Sequence, residues 1–329
     1  MVKRSMQSDY TAKQGFSLNM YTEDELRAIH FATLEVLEKT GVRVFLEEAR
    51  NIFKDAGAKV IESEKIVKIP GWMVEEAIQS APSTVLLAGR NPKNDVLLGG
   101  SRVNFTCFGA GVKIIDPDKG NLRETTKDDL EKTALMVDYL DDVEVYSQAV
   151  VPRDVNAFSS DLHAAEAFLN NTSKHCHHID LTTAAHAKKY FAMGAAIAGG
   201  EEELRERPIL SVLICPTSPL QLSVECCEII IECARAGVPV NVLSMALAGA
   251  SSPVTIAGTL VSHNAEVLSG IVLAQLANKG APCIYGSSTT TFDMQFATAP
   301  VGSPELGMIN AGVARLAQFY LLPSYTAGG

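Results

Sequence analysis

Ile209-Leu-Ser-Val-Leu-Ile-Cys215, the stretch Leu220–Ala236 that ends at Gly237, and Val238-Pro-Val-Asn-Val-Leu-Ser244 decide the fold. Two short apolar runs flank a segment of helical length, and Gly closes that segment where a helix C-terminus wants a left-handed residue. The runs show little polar alternation, as expected of strands covered on both faces. The pattern repeats outward. Strands are expected at Val143–Val151, His175–Leu181, Ala281–Ser287 and Pro323–Ala327, and helices near Asp161–Asn170, Ala184–Ala198, Val254–Ala277 and Glu305–Tyr320. Alternating strands and helices with right-handed crossovers give a parallel sheet, open or closed.

Three of the strand-to-helix junctions end in the same dipeptide, Ser218-Pro219, Ser252-Pro253 and Ser303-Pro304. Ser is a good N-cap and Pro fits the first helical position, so three helices are expected to open at the C-terminal edge of the sheet, where such folds carry their sites. No Gly-rich phosphate loop follows any strand, which disfavours a dinucleotide or nucleotide fold. The expected fold class is therefore α/β, a TIM (β/α)8-type barrel. Only six strands are counted where eight are needed, and the chain ends at Tyr325-Thr-Ala-Gly-Gly329, so the barrel is expected to be incomplete.

Before Lys127 the pattern differs. Thr22-Glu-Asp-Glu25 is a capping box for a helix running to Gly41, Leu46–Ala56 reads as a second helix, and Pro70 opens a third. Val85–Ala88, Val96–Leu98, Val103–Cys107 and Val112–Ile115 then read as an antiparallel meander. The expected division is an accessory helical and antiparallel β region over 1–125 and a partial barrel over 126–329.

Composition narrows the function classes. Lys and Arg total 28 against 38 Asp and Glu, a net charge of −10, which argues against nucleic acid or an anionic membrane as partner. The first 24 residues lack an apolar signal segment, and the seven Cys form no disulfide framework; both fit a cytoplasmic protein. Residues 236–265 carry no charge but are broken by Pro239, Asn241 and Pro253, so they are not a membrane span. After Arg235 only Glu266, Lys279, Asp293, Glu305 and Arg315 are charged. Such a stretch has to be covered, either inside something larger or against other subunits, and a homo-oligomer is expected.

Pro253-Val-Thr-Ile-Ala-Gly-Thr-Leu260, Asn264-Ala-Glu266, Ala274-Gln-Leu-Ala277, Gly280-Ala-Pro-Cys-Ile-Tyr-Gly286 and Gly302-Ser-Pro-Glu-Leu-Gly-Met-Ile-Asn-Ala311 resemble the trimethylamine:corrinoid methyltransferase family, and the likeness runs along the chain through Ile69-Pro-Gly-Trp72. The resemblance implies transfer of a methyl group from trimethylamine to the Co(I) of a corrinoid carried by a separate cognate protein, as in methanogenesis from methylamines. It implies no cofactor bound directly. In archaeal members a Gly-Gly immediately precedes pyrrolysine, encoded by an amber codon, so the chain is expected to stop at that position and the isolated fragment to be inactive. Pyrrolysine's imine carbon would serve as the electrophile. A quaternary-amine (glycine betaine-like) methyltransferase of the same family, and a non-catalytic fragment that binds amines or the corrinoid protein, stay open as alternatives.

The residues are weighed against that chemistry. Glu305 follows Ser303-Pro304 and is the candidate catalytic carboxylate; the alternative is a first-turn Glu serving the helix dipole. Glu266 lies in a charge-free helical stretch, where a lone carboxylate needs a buried partner or a bound cation, unless it faces solvent. Tyr285, Phe292, Phe296 and Tyr325 lie on or just after expected strands, where aromatic faces would hold a methylated ammonium; core packing is the competing account. Asp293 reads as a solvated loop carboxylate and Arg315 as a surface residue. His175-Cys-His-His178 invites a metal, but on a strand His175 and His177 share one face while Cys176 and His178 share the other, so at most two ligands converge and no metal is expected. Cys226, Cys227 and Cys233 read as core thiols.

Overall fold

In the computed structural model, which describes residues 20–107 and 109–327, six short strands lie side by side in sequence order, all parallel. They are β1 (Val145–Ser147), β2 (His175–His178), β3 (Leu210–Ile214), β4 (Val240–Ser244), β5 (Cys283–Ser287) and β6 (Ser324–Thr326). The sheet curls into a half-barrel. Helices α1 (Lys127–Tyr139), α2 (Ser160–Asn171), α3 (Ala184–Ala198), α4 (Val224–Ala236), α5 (Ile256–Ala277) and α6 (Pro304–Phe319) accompany the strands. Every expected strand of the second region is present, mostly shorter than its apolar run.

Alternation sorts each strand into two faces. Cys176, His178, Val242 and Tyr285 meet the helices: the Tyr190 hydroxyl donates to Cys176 O, the Phe168 ring stands edge-on to His178, and a Cβ on Gly270 of α5 would lie 2.7 Å from Val242. The intervening residues face the concave side. The register Ser147↔His177↔Ser211 and Leu213↔Asn241↔Ile284 lays polar groups in rows across that face. β1 and β6 do not pair. The outer side of β1 is partly covered by residues 105–107 and 109–111, through bridges Thr106↔Val145 and Gly111↔Val150. Among the described residues no strand lies beyond β6.

The three Ser-Pro junctions behave differently from one another. Ser303 caps α6 as expected, accepting from the Leu306 N–H with Pro304 at the first position. Ser218 and Ser252 cap nothing. Helix α4 starts later, capped by Ser223, and α5 is capped by Thr255. The reason is competition: the Ser218 hydroxyl is taken by Glu266, 2.7 Å away, and the Ser252 hydroxyl lies 3.1 Å from that of Thr259.

The N-terminal region departs from the expected meander. The capping box at Thr22 and Glu25 is present. Val85–Leu87 and Val96–Leu98 form one hairpin, and Lys113–Ile115 and Leu122–Glu124 a separate one. Val103–Cys107 is not a strand; it lines the cavity opposite the sheet and meets β1 through Phe105 O, Thr106 and Cys107 Sγ, with a single bridge at Thr106. Three short strands that periodicity does not reveal, Val42–Val44, Lys59–Ile61 and Ile66–Lys68, make a small sheet whose edge pairs in parallel with Gln221–Leu222, just before α4.

This attachment explains the charge-poor stretch. Helix α5 is long and apolar enough to cross a membrane by length and composition, yet most of it is buried inside the chain. The helices Glu23–Glu35, Glu47–Asp55 and Gly71–Ser80 pack on it, together with α4 and α6. A helix apolar all round is a core helix. The covering that the sequence asks for comes largely from the chain's own residues 23–80.

One buried cation ties α1 to β2. Lys174 is 5% exposed, and its Nζ donates to the carbonyls of Val137, Leu140 and Val143 at 2.7, 2.5 and 2.6 Å. Two of these close α1, where a cation also meets the helix dipole. Lys174→Met strands three carbonyls, and denaturant titration is expected to show a loss of about 2–3 kcal/mol; an unchanged midpoint at equal slope contradicts the assignment.

Candidate active site

The concave face carries a directed chain of hydrogen bonds. Asn241 Nδ2 donates to His177 Nε2 at 3.4 Å, which places the His177 proton on Nδ1, 2.6 Å from Ser211 Oγ. Ser211 in turn donates to His175 Nε2 at 2.7 Å, and His175 Nδ1 donates to Ala88 O at 3.2 Å. These tautomers are the ones that satisfy every link. Burial pushes His177 down to about 3 and His175 to about 4, so both imidazoles are neutral.

In front of this chain lies a cavity of about 730 Å³. Its sheet wall is Val145, His177, Asn241, Ile284 and Tyr325; its opposite wall is Gly99–Cys107 with Leu87 and Leu98. Val301, Ala314, Gln318 and Leu322 close the side next to β6. The Tyr325 and His177 rings lie 5.9 Å apart, and burial lifts the Tyr325 hydroxyl to about 12, so it stays protonated. Asn241 Oδ1 is buried without a hydrogen-bond partner. It occupies the space in front of Gly286, where a Cβ would fall 2.1 Å from it. Arg102 stands on the far wall and donates to Gly99 O. The result is a largely apolar chamber with neutral rings, one unpaired acceptor on the sheet wall and one guanidinium opposite.

Of the residues weighed from sequence, Tyr325 and His177 line the cavity. Tyr285 does not stand at the mouth: it is on the helix-facing side of β5, wholly buried, donating to Asn264 Oδ1 at 2.7 Å and packed against Tyr320 and His263. Its parity puts it there, since the neighbours Ile284 and Gly286 take the concave face. Glu266 is not on a solvent face; it is fully buried. It accepts from Ser218 Oγ, Leu220 N and Ser244 Oγ at 2.7, 3.1 and 2.6 Å, and burial raises its pKa against the lowering pull of those donors. Phe292 is half-buried and Phe296 is 69% exposed, both in the β5–α6 connection. Glu305 is exposed in the first turn of α6, outside the cavity lining. Asp293 accepts from the N–H groups of Gln295 and Phe296, holding a turn. Gly328 and Gly329, after which the resemblance puts pyrrolysine, lie outside the described residues.

His177 belongs to the strand whose alternation is legible in the sequence, and Asn241 is a sheet-wall residue not singled out as a candidate. A signal for both exists: each is a polar residue in an otherwise apolar or helix-facing strand, at the parity that faces away from the helices. Among the described residues no group of three or more His, Cys, Asp or Glu is placed to hold a metal ion.

A solved monomethylamine methyltransferase, MtmB of Methanosarcina barkeri, is similar in fold, with a TM-score of 0.57 at 11% identity over 92% of this chain and 67% of that one. Sequence goes further than shape. Residues 3–329 match the family described as trimethylamine methyltransferase (MTTB), and the chain belongs to that family. It is 55% identical over 327 residues to the trimethylamine methyltransferase MttB of Desulfitobacterium hafniense, covering 99% of this chain and 66% of the relative. It is 51% identical over 335 residues to that of Methanosarcina barkeri, covering 100% and 67%. A glycine betaine methyltransferase of Desulfitobacterium hafniense is 33% identical over 312 residues, 94% of this chain and 64% of that one. The chain thus spans about two thirds of the length of the curated relatives it matches.

Two outcomes follow from the geometry. Gly286→Ala forces Asn241 Oδ1 or the Leu243 backbone, 3.0 Å from the new methyl, to move; a loss of about 1–3 kcal/mol in chemical denaturation is expected, and no loss contradicts the packing. His175, His177, His178 and His263 are held neutral with values of about 4, 3, 4 and 3. The unfolded chain binds their protons below about pH 6.5 while the folded chain does not, so this contribution to stability is intact above that pH and lost as pH falls toward 3–4. By pH 5 the loss is on the order of 1–2 kcal/mol per histidine. Melting temperature is expected to fall steeply between pH 7 and 5; a flat profile contradicts the neutral assignment.

Proposed function

We propose that this chain takes part in transferring a methyl group from trimethylamine to the Co(I) of a corrinoid carried by a separate protein, leaving dimethylamine. What carries the reading is the cavity wall where the neutral rings of His177 and Tyr325 meet the unpaired Asn241 Oδ1. Aromatic faces favour methylated ammonium groups, which are poorly hydrated. A protonated tertiary amine also keeps one N–H, and a small turn of the Asn241 amide gives that donor its acceptor. The identity of 50–55% to relatives named trimethylamine methyltransferase supports this substrate over others.

The atoms balance simply. Protonated trimethylamine gives CH3+ to Co(I), the C–N bond pair stays on nitrogen, and neutral dimethylamine departs. The chain's own part is to hold the amine and exclude water, so that the methyl faces the acceptor. The electrophile that the resemblance assigns to the residue after Gly329 lies outside the described residues. We read the half-barrel as part of a (β/α)8 barrel, which its curl and the unpaired β6 support. The rim residues Val254, Met294 and Phe296, each more than two-thirds exposed, suit an apolar docking surface for the corrinoid protein. The reading includes no directly bound cofactor, a cytoplasmic location and a homo-oligomer.

Arg102 favours a second reading. A guanidinium across the cavity from the rings suits a quaternary amine that carries a carboxylate, as in glycine betaine. Binding of each amine to this chain, measured by titration calorimetry, separates the two. Trimethylammonium is expected to bind, with Kd raised about ten- to thirty-fold by Tyr325→Ala and little changed by Arg102→Ala. Binding of glycine betaine alone, abolished by Arg102→Ala, overturns the first reading in favour of the second.

A further inference from the structure

Glu266 is the only charged residue between Arg235 and Lys279, it is fully buried in α5, and the chemistry proposed above does not use it. Its two oxygens reach two different strand-to-helix connections. Oε1 accepts from Leu220 N and Oε2 from Ser218 Oγ, both in the β3–α4 connection; Oε2 also accepts from Ser244 Oγ, at the C-terminal end of β4. From Ser244 the network continues. Its carbonyl accepts from Ser288 N at 2.9 Å and from Thr289 Oγ1 at 3.2 Å, just past β5, and the Thr289 hydroxyl takes the proton of His263 Nδ1 at 3.0 Å. His263 lies three residues before Glu266, on the same face of α5. One turn of one helix therefore holds the C-terminal ends of three neighbouring strands.

What those connections carry is the rim and one wall of the cavity. Met245 and Val254 follow β4, while Phe292, Phe296 and Val301 follow β5, and Val301 reaches the cavity lining. We propose that Glu266 is a positioning residue, whose carboxylate fixes the three connections at the C-terminal edge of the sheet through hydrogen-bond acceptance and not through its charge. The distinction is chemical. Glutamine fits the same donors: its Oε1 takes the Leu220 N–H, and its two amide protons go to Ser218 and Ser244, whose hydroxyls turn to accept. Alanine leaves a buried backbone donor and two hydroxyls without their acceptor, and the local penalty falls on the connections.

The inference rests on the proposed function only for what the connections serve, and its test needs neither amine nor corrinoid. Amide hydrogen exchange by mass spectrometry compares the full chain with Glu266→Gln, Glu266→Ala and Ser218→Ala. Glu266→Ala is expected to speed exchange at least about ten-fold in 216–222, 245–252 and 288–296, with 175–181 in β2 unchanged. Glu266→Gln is expected to stay within about three-fold of the parent throughout. Ser218→Ala opens 216–222 alone, and this arm decides the matter should Glu266→Ala not fold. Unchanged exchange in these segments overturns the proposal, as does equal acceleration everywhere, which marks only a loss of global stability. A Gln variant as open as the Ala variant overturns it in favour of charge. A chain that shows the expected pattern but binds neither amine leaves the role of Glu266 standing and removes the methyl-transfer reading alone.

Discussion

Helices cover one face of the sheet and residues 99–107 stand across the cavity from the other, and the buried polar groups of the concave face satisfy one another sideways across the strands. The chain from Asn241 through His177 and Ser211 to His175 and Ala88 O does this, and it fixes register at the same time. A slip of one residue at β3 would replace Ser211 by an aliphatic neighbour and leave two imidazoles unpaired. It also sets the electrostatics of the cavity, because an imidazole locked as a neutral donor–acceptor cannot repel a cation.

The second dependence is on the N-terminal region. Helix α5 carries apolar residues all round, which are costly in water, and one carboxylate, which is costly in an interior without partners. The first three helices cover its apolar faces, while the small sheet anchors that cover to the β3–α4 connection through the pairing Arg43↔Gln221. The same connection reaches Glu266. Cover, sheet end and buried carboxylate are thus one mechanical unit, built from residues more than two hundred positions apart.

Much of this was legible in the sequence and some of it was not, for physical reasons. The six strands and their helices follow from apolar runs of the right length, since burial on both faces leaves a composition signal. The strands Val42–Val44, Lys59–Ile61 and Ile66–Lys68 are too short to show any period. Ser218-Pro219 and Ser303-Pro304 look alike, yet a tertiary acceptor claims one hydroxyl and a helix the other; local sequence carries no record of Glu266 arriving from 48 residues away. Tyr285 was misplaced because strand membership was read without parity. Counting alternation from Tyr285 sends it to the helices and brings Asn241 and His177 to the concave side. The wall 99–107 was unreadable, because a segment without regular structure is placed by what it covers.

The account turns on one location: a methylated amine against Tyr325, His177 and Asn241 on the concave face. A crystal structure of this chain soaked with trimethylammonium tests it most directly. The account predicts density for the amine within about 6 Å of the Tyr325 ring, its nitrogen in hydrogen-bond reach of the Asn241 amide. Density instead among Phe292, Phe296 and Glu305 on the rim, with the cavity holding only water, would contradict it.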